Sequence, residues 1–423
     1  MLLALSISLL IMLLLAGLPI ALALGLTGLF MLYLTMGSAV VNAVPQMMFV
    51  ALDSFTLIAI PFFILTAELL IAGGATRRLI SATETLIGHW RGGLATVAVG
   101  ACAFFSAISG SSAATAVAIG SVLVPEMIRR GYDPKYSAGL VAVSGGLGIL
   151  IPPSIPMIVY GSVAEQSVGR LFVAGIIPGL VLAAALMAAG MLLLGRNRPP
   201  EPKASWRERV EAVRDAIWII LLPVLIAVLI YGGIATPTEA AGAAVVYAFF
   251  CATFVYRGVG RADLGRVLAD SMGKSAMILL ILAGATVFAY ALTILHIPQN
   301  LTEAALERDL SPIGVLLIIN GVLIVLGMFL DIISILLITA PIVLPVVTSI
   351  GIDPIHFGMI FVLNMELALI TPPLGIHLFI LSSITRLPVT QVFLGVIPFA
   401  FVLLAVLALI TFVPALSMVL VAR

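Results

Sequence analysis

The stretches "ILIPPSIP" (149–156) and "LITPPLGI" (369–376) each place two adjacent prolines inside a long apolar run. A proline removes a backbone donor and clashes with the preceding helical turn, so each pair predicts a break in a helix. Inside a membrane, such a break is tolerated only where the backbone lines a cavity or is buried in protein. The two stretches therefore predict broken helices at 137–163 and 355–385, both at membrane depth.

The composition around these breaks is that of an integral membrane protein. The chain has 423 residues, of which 62% are hydrophobic and 9% are charged, whereas a soluble domain has about 25% charged residues. Apolar runs long enough to cross a bilayer recur along the chain, and the N-terminal run lacks the features of a cleaved signal peptide. The net charge of +1 favours no nucleic-acid partner. No metal-binding pattern and no P-loop motif occurs, which argues against an ATP-driven pump and predicts no organic cofactor.

The second half of the sequence repeats the first at a constant offset of 220 positions. No gap is needed across more than fifty residues, and the matched pairs include Pro125 with Pro345, Gly131 with Gly351, Asp133 with Asp353, Pro152 with Pro372 and Pro178 with Pro398. Chance matches in a Gly- and Pro-rich sequence would not keep one register throughout. Internal repeats in a membrane protein are typical of secondary transporters.

The basic residues predict that the two repeats are inverted. They cluster in four connections that we expect to be cytoplasmic, at 77–91, 129–135, 195–216 and 257–274. Segment 92–128 leaves one of these connections and returns to another, so it is predicted to be a re-entrant helical hairpin with arms shorter than a full span. Its mate, 312–348, lies between connections poor in Lys and Arg and should enter from the other side.

The predicted fold is an all-α polytopic membrane protein with two inverted-topology repeats, about ten transmembrane helices and two re-entrant hairpins. The first repeat is 1–195, with the hairpin 92–128 and the broken helix 137–163. A cytoplasmic linker, 196–215, leads to the second repeat, 216–423, with the hairpin 312–348 and the broken helix 355–385. The sequence leaves open whether 1–35 forms one helix or two.

Symmetry brings the hairpin tips and the helix breaks together, and all four places are rich in oxygen atoms that suit sodium. The predicted cation ligands are Ser109, Ser111, Ser144, Asp331, Asn364 and Thr371. The backbone of the tips and breaks is predicted to contribute at Gly110, Ser112, Ile151, Pro152, Pro153, Ser154, Pro372 and Pro373. The candidates for a substrate cavity are Ser106, Thr115, Ser334 and Glu366.

Several of these residues also have a purely structural interpretation. Serine and threonine in membrane helices often bond to their own backbone or join two helices. A carboxylate at membrane depth, such as that of Asp331, indicates function by default. Glu366 is compatible with a packing hydrogen bond or with contact to a proton or substrate. Glu68 is a further carboxylate at this depth, and Lys274 is expected to extend from a helix end towards the interface.

Four runs of the sequence resemble the large membrane subunit of tripartite ATP-independent periplasmic (TRAP) transporters. They are "SAISGSSAATAVAIGSVLVPEM", "GGLGILIPPSIPMIVYG", "GMFLDIISILLITAPIVLPVV" and "NMELALITPPLGIHLF". The similarity covers nearly the whole chain. It implies a non-enzymatic, sodium-driven importer of organic acid anions, such as C4-dicarboxylates or sialic acid, in the inner membrane of a bacterium. The resemblance implies an elevator-type transporter as well, in which a transport domain moves against a scaffold. It also implies sodium sites at the tips and breaks, which carry over to Ser109, Ser111 and Asp331.

The resemblance further implies two partner proteins. One is a small four-helix membrane subunit, expected as a separate chain because this sequence starts directly at its own first helix. The other is a periplasmic binding protein that delivers the substrate. The sequence also allows a self-sufficient symporter or antiporter. An intramembrane enzyme lacks its catalytic motifs here, and a channel explains the inverted hairpins less well.

Overall fold

The structure, a computed structural model, describes residues 2–194, 203–307 and 311–421. Every regular element within these ranges is a helix. By length and composition, 9 of the described helices are able to cross a membrane, and the bent pair Pro134–Leu150 and Ile155–Val163 makes up to 10. The predicted fold class, a multi-pass helical membrane protein, is thereby confirmed.

The first half of the chain forms eleven helices. In chain order they are α1 (Leu2–Leu15), α2 (Ile20–Met36), α3 (Val40–Leu52), α4 (Ala59–Ala72), α5 (Ala75–Ile87), α6 (Leu94–Ser109), α7 (Ser112–Arg129), α8 (Pro134–Ser144), α9 (Leu147–Leu150), α10 (Ile155–Val163) and α11 (Val168–Leu193). The N-terminal segment therefore forms two helices. They are separated at Gly17, which adopts φ 82°, and at Pro19, where α2 is capped.

The second half of the chain forms ten helices. They are α12 (Trp206–Tyr231), α13 (Pro237–Phe250), α14 (Arg261–Ile294), α15 (Ile297–Glu307), α16 (Pro312–Gly327), α17 (Ile332–Ser349), α18 (Pro354–Leu369), α19 (Ile376–Thr385), α20 (Val389–Phe412) and α21 (Ala415–Met418). Part of the predicted linker, 196–202, lies outside the described residues. The rest of the linker is largely helical, because Ser205 and Glu208 form a capping box that starts α12 at Trp206.

Each segment predicted to be a hairpin consists of two helices, α6 with α7 and α16 with α17. The first arms have 16 residues and the second arms 18, which corresponds to about 24 and 27 Å. The arms are thus longer than predicted and approach the thickness of a bilayer core, about 30 Å. The reason lies in the tips, which are so short that almost the whole segment stays helical; at the first tip Gly110 makes the turn with φ 61°.

Both double-proline stretches interrupt a helix. In the first half, the chain is extended at Ile151, the Pro152–Pro153 peptide bond is cis, and α10 begins after Ser154 at an angle of 44° to the preceding helix. In the second half, α18 ends at Leu369, the Pro372–Pro373 bond is also cis, and α19 starts at Ile376. The two breaks thus share one design at positions 220 apart.

The two halves pack closely against each other through small residues. Helix α8 packs on α20, α7 on α19, and α2 on α14. At the α8–α20 crossing, a Cβ added to Gly139 would overlap the carbonyl oxygen of Gly395, and a Cβ on Gly395 would overlap the carbonyl oxygen of Lys135. Backbones that approach this closely are typical of membrane helix interfaces built from small residues.

A Gly139→Ala variant should therefore destabilise the protein. The added methyl group meets backbone atoms, which cannot rotate away, and overpacking of this kind costs about 1–3 kcal/mol or more. Thermal unfolding in detergent should show a clear drop in melting temperature. Gly169→Ala is the matched control, because its Cβ would meet only side-chain atoms of Ile230 and Ser167, at 3.6 and 3.8 Å. Equal melting temperatures for the two variants would contradict the prediction.

Candidate functional site

The tip of the first hairpin holds a compact group of oxygen atoms. The Ser109 hydroxyl lies 2.9 Å from the Thr115 hydroxyl and 3.3 Å from the carbonyl oxygen of Ser111. The Thr115 hydroxyl donates to that same carbonyl at 2.9 Å. Ser109 and Thr115 are buried, while the Ser111 side chain accepts from the Ala114 amide and caps α7. The tip is therefore both a helix cap and a cluster of potential cation ligands.

The first helix break lies directly against this tip, as the sequence symmetry predicted. The Ile155 amide donates to the Gly110 carbonyl at 3.1 Å. A Cβ added to Gly148 would lie 2.6 Å from the Ser111 carbonyl oxygen and 2.8 Å from the Thr115 hydroxyl. The absence of a side chain at Gly148 is what lets the broken helix approach the oxygen atoms of the tip.

Three further serines near the first tip have different surroundings. The Ser144 hydroxyl is buried and has no hydrogen-bond partner among the described residues, and the adjacent Gly145 packs against α7 at the Ser112 carbonyl. Ser154 caps α10 by accepting from the Met157 amide. Ser106 instead donates to the Cys102 carbonyl within its own helix, which is the structural role that membrane serines often have.

The tip of the second hairpin is built around one carboxylate. Asp331 caps α17, accepting from the amides of Ile333 and Ser334 at 3.1 and 3.3 Å, and it also accepts from the Ser334 hydroxyl. The second break contacts this tip as well, because the Leu374 amide donates to the Met328 carbonyl at 3.1 Å. Asp331 and its repeat mate Ser111 thus hold the same position, the N-cap of the second arm.

Asn364 and Thr371, predicted to join Asp331 in a cation site, direct their hydrogen bonds elsewhere. The Asn364 amide nitrogen donates to Asn320 at 2.7 Å and to the Ile360 carbonyl at 3.0 Å. The Thr371 hydroxyl donates to the Leu367 carbonyl at 2.6 Å. The Asn364 bonds join α18 to α16 or remain within α18, and the Thr371 bond returns from the break to α18. The Asn364 side-chain oxygen has no hydrogen-bond partner among the described residues, and no described hydrogen bond links either residue to Asp331.

Glu366 is enclosed between the two repeats. It is 1% exposed, and its Oε1 atom lies 3.4 Å from Nδ1 of the buried His377. That Nδ1 atom lies 2.8 Å from the Ala142 carbonyl oxygen, and because a carbonyl only accepts, Nδ1 carries the hydrogen. A Cβ on Gly146 would overlap the Glu366 side chain. Glu366 thus packs on Gly146, between α8 and α9, and both of its carboxylate oxygens have no hydrogen-bond partner among the described residues.

A cavity of about 790 Å³ lies beside the first tip, between α7 and a wall made by α4, α5 and α14. Ser109 and Ser111 line it on the hairpin side, and three charged residues line it on the other: Glu68, Arg77 and Lys274. Lys274 donates to Glu68 in an ion pair. The four residues predicted for a substrate cavity do not line this one: Ser106, Thr115, Ser334 and Glu366.

Sequence reasoning missed this charged wall as a unit. Glu68 and Lys274 belong to different repeats and are 206 positions apart, and they are not repeat mates, so the symmetry gave no reason to pair them. The available signal was the rarity of charge itself, since ionisable residues in membrane helices usually pair or face a cavity. The sequence shows Glu68 and Lys274 as two separate charges, and only the fold brings α4 and α14 together.

The sequence and fold match known transporters. The family model described as "Tripartite ATP-independent periplasmic transporter, DctM component" matches residues 7–416. The C4-dicarboxylate TRAP transporter large permease protein DctM of Rhodobacter capsulatus is 43% identical, over 97% of this chain and 97% of that protein. The sialic acid TRAP transporter large permease protein SiaM of Vibrio cholerae is 36% identical, over 96% of each.

A solved structure shares the fold. The crystal structure of the Alcanivorax borkumensis YdaH transporter aligns with a TM-score of 0.62 at 12% identity, covering 89% of each chain. The family match across nearly the whole length, together with relatives above 30% identity, agrees with the resemblance seen in the four sequence runs. The chain belongs to the DctM family of TRAP transporter components, a family of membrane transport proteins and not of enzymes.

Proposed function

We propose that this chain is the large permease subunit of a sodium-coupled importer of organic acid anions in the inner membrane of a bacterium. The observation that carries the proposal is the first hairpin tip, where buried oxygen atoms pack against a helix break and face a cavity with cationic side chains. A sodium site and a substrate cavity that share Ser109 and Ser111 provide a physical basis for coupling substrate transport to sodium.

Sodium binding at the first tip is supported by the type and number of oxygen atoms there. The Ser109 hydroxyl, the Thr115 hydroxyl and the Ser111 carbonyl lie within 3.3 Å of one another. The Ser144 hydroxyl has no partner among the described residues and lies at the end of α8, next to the break. Neutral hydroxyl and carbonyl oxygens at a broken helix are the ligands that transporters of this kind use for sodium.

At the second tip, the proposal rests on Asp331. Its carboxylate is half-buried and combines a negative charge with the N-terminus of α17. The Asn364 side-chain oxygen has no hydrogen-bond partner among the described residues, and Thr371 uses its hydroxyl as a donor to the Leu367 carbonyl. The oxygen atoms of both residues therefore stay available as acceptors. A second cation would depend mainly on Asp331, with these oxygen atoms and the carbonyl oxygens freed by the break at Pro372–Pro373 as further ligands.

The proposed mechanism is alternating access with the hairpins moving against the remaining helices. The cavity separates α7 from α4, α5 and α14, so a sliding motion between these two groups would open it to one side and then the other. Arg77 and Lys274 favour anionic substrates. The names of the relatives support tripartite assembly, and we propose a separate small membrane subunit and a periplasmic binding protein as partners.

The test is uptake into proteoliposomes that contain the chain and its small membrane subunit, with the binding protein outside. We expect accumulation of a labelled organic acid that requires both an inward sodium gradient and the binding protein. A potassium gradient of equal size is the control. Uptake that persists without sodium would refute the coupling, and sodium-driven uptake that needs no binding protein would identify a self-sufficient symporter.

Within the same assay, Ser109→Ala should raise the sodium concentration for half-maximal uptake by about tenfold. The variant removes one hydroxyl from the buried cluster and leaves the Thr115 hydroxyl without its Ser109 partner. The loss of a partner for a buried polar group costs about 1–3 kcal/mol of free energy. Ser137→Ala is the matched control, because Ser137 is a buried serine that bonds only to the Asp133 carbonyl of its own helix. An equal change in both variants would contradict a special role for Ser109.

A further inference from the structure

The charges that line the large cavity are few and unevenly distributed. Glu68 on α4, Arg77 on α5 and Lys274 on α14 form one wall, whereas the wall made by α7 carries none. The formal charge of the lining is therefore +1. The remaining lining is mostly apolar, with hydroxyl groups from Thr76, Ser109, Ser111 and Ser121.

The two cations of this wall are not equivalent. Lys274 already donates to the Glu68 carboxylate, whose side chain is 19% exposed, so most of its charge is compensated. Arg77 is exposed and has no ion-pair partner among the described residues. A planar guanidinium presents paired donors that match a carboxylate or sulfonate. The cavity thus offers one uncompensated site for one anionic group.

We infer that Glu68 is a specificity-determining residue that makes the cavity select organic anions of net charge −1 over dianions. The inference rests on the proposed function and names its substrate class: a hydroxylated monocarboxylate or monosulfonate. Arg77 binds the anionic group, the serine and threonine hydroxyls bind the hydroxyl groups, and the apolar lining covers the rest of the molecule.

Glu68 has this effect because it compensates Lys274 and leaves Arg77 as the one uncompensated cation of the lining. A sphere of about 790 Å³ is about 11 Å across, so a second carboxylate on the substrate would lie in the same apolar cavity without a cation of its own. A charge that lacks a counter-charge is costly where apolar walls keep the dielectric constant low. A ligand that leaves such a charge unpaired is rejected in favour of one that does not.

The test compares lactate with malate, two hydroxy acids that differ by one carboxymethyl arm. Equilibrium binding of each labelled anion is measured on the complex of the chain with its small membrane subunit in nanodiscs, at saturating sodium. The unmodified complex should bind lactate about tenfold or more tightly than malate. Glu68→Gln raises the lining charge to +2 and should shift this ratio towards malate by about tenfold, which corresponds to about 1.4 kcal/mol.

Two further variants separate charge from folding defects. The double variant Glu68→Gln/Lys274→Gln returns the lining charge to +1 and should restore the original preference for lactate. Glu84→Gln removes a carboxylate from an ion pair with Arg130, 2.8 Å long and outside the cavity, and should leave the ratio unchanged.

The outcomes distinguish this inference from the proposed function. Binding of both anions with a ratio that Glu68→Gln does not change overturns the role of Glu68 and leaves the transporter proposal intact. A preference for malate in the unmodified complex overturns the monoanion class. Failure of both anions to bind, combined with no sodium-driven uptake in proteoliposomes, overturns the proposed function and the inference with it.

Discussion

Gly148→Ala is expected to abolish sodium-driven uptake while the protein still inserts into the membrane. The new methyl group would lie 2.6 Å from the Ser111 carbonyl oxygen and 2.8 Å from the Thr115 hydroxyl, distances that real Cβ atoms do not tolerate. Because the nearest contact is backbone, the helix break and the hairpin tip must separate. A displacement of about 1 Å in a preorganised site costs a hundredfold or more in rate, so uptake should fall at least that far.

The control for this variant is Gly321→Ala. Gly321 lies within α16, a hairpin arm of the second repeat, and a Cβ added there would meet nothing within 4 Å. Alanine is favoured over glycine inside a helix, so this variant should be as stable as the parent and should transport normally. Uptake by Gly148→Ala at the level of Gly321→Ala would show that the contact between tip and break is not needed.

Asp331→Asn is expected to have the second large effect, a weakened affinity for sodium with folding preserved. Asparagine caps helices about as well as aspartate, so the bonds to the Ile333 and Ser334 amides are retained. The substitution removes the negative charge and replaces the oxygen that accepts from the Ser334 hydroxyl with an NH2 group. The sodium concentration for half-maximal uptake should rise by about tenfold or more, because charge-assisted ligation is about twice as strong as neutral ligation.

The matched control is Asp353→Asn. Asp353 caps α18 with the same geometry, accepting from the amides of Ile355 and His356. Its repeat mate, Asp133, caps α8 in the first half of the chain. We expect no change in sodium dependence for this variant. A shift of equal size in both variants would mean that Asp331 serves only as a helix cap, and unaltered sodium dependence in Asp331→Asn would exclude it from the ion site.

Much of the fold could be predicted from the sequence because prolines and charges carry local information. The double prolines marked both breaks, since a proline disrupts a helix wherever it lies. The serines and glycine around Ser109 marked the first tip. The sequence underestimates the lengths of the hairpin arms because it does not show how few residues lie outside the helices, which are two at the first tip and four at the second.

The candidate site was harder to predict because it depends on contacts between distant segments. Ser109 and Ser111 were identified since they are close in sequence and lie opposite a proline break. The sequence leaves Glu366 open between a packing role and a cavity, and only the fold shows that it meets His377 and Gly146 in a closed interface. The amide nitrogen of Asn364 bonds to Asn320, and the predicted role of its oxygen as a cation ligand stays a prediction. A polar residue in an apolar helix indicates that a partner exists and does not reveal which one.

The N-caps at Ser111 and Asp331 differ by one elementary charge although they occupy equivalent places. Under the proposed function, the Asp331 carboxylate neutralises a bound sodium ion. The loaded transporter therefore moves less net charge across the membrane than the sum of the charges of its bound sodium ions. The empty transporter then carries the negative charge of Asp331 on its return. An interior-negative potential drives a negative charge outward, with about 2.3 kcal/mol per charge for each 100 mV. The membrane voltage should therefore accelerate the resetting of the empty transporter, and the current recorded in a cycle should contain a component from that step.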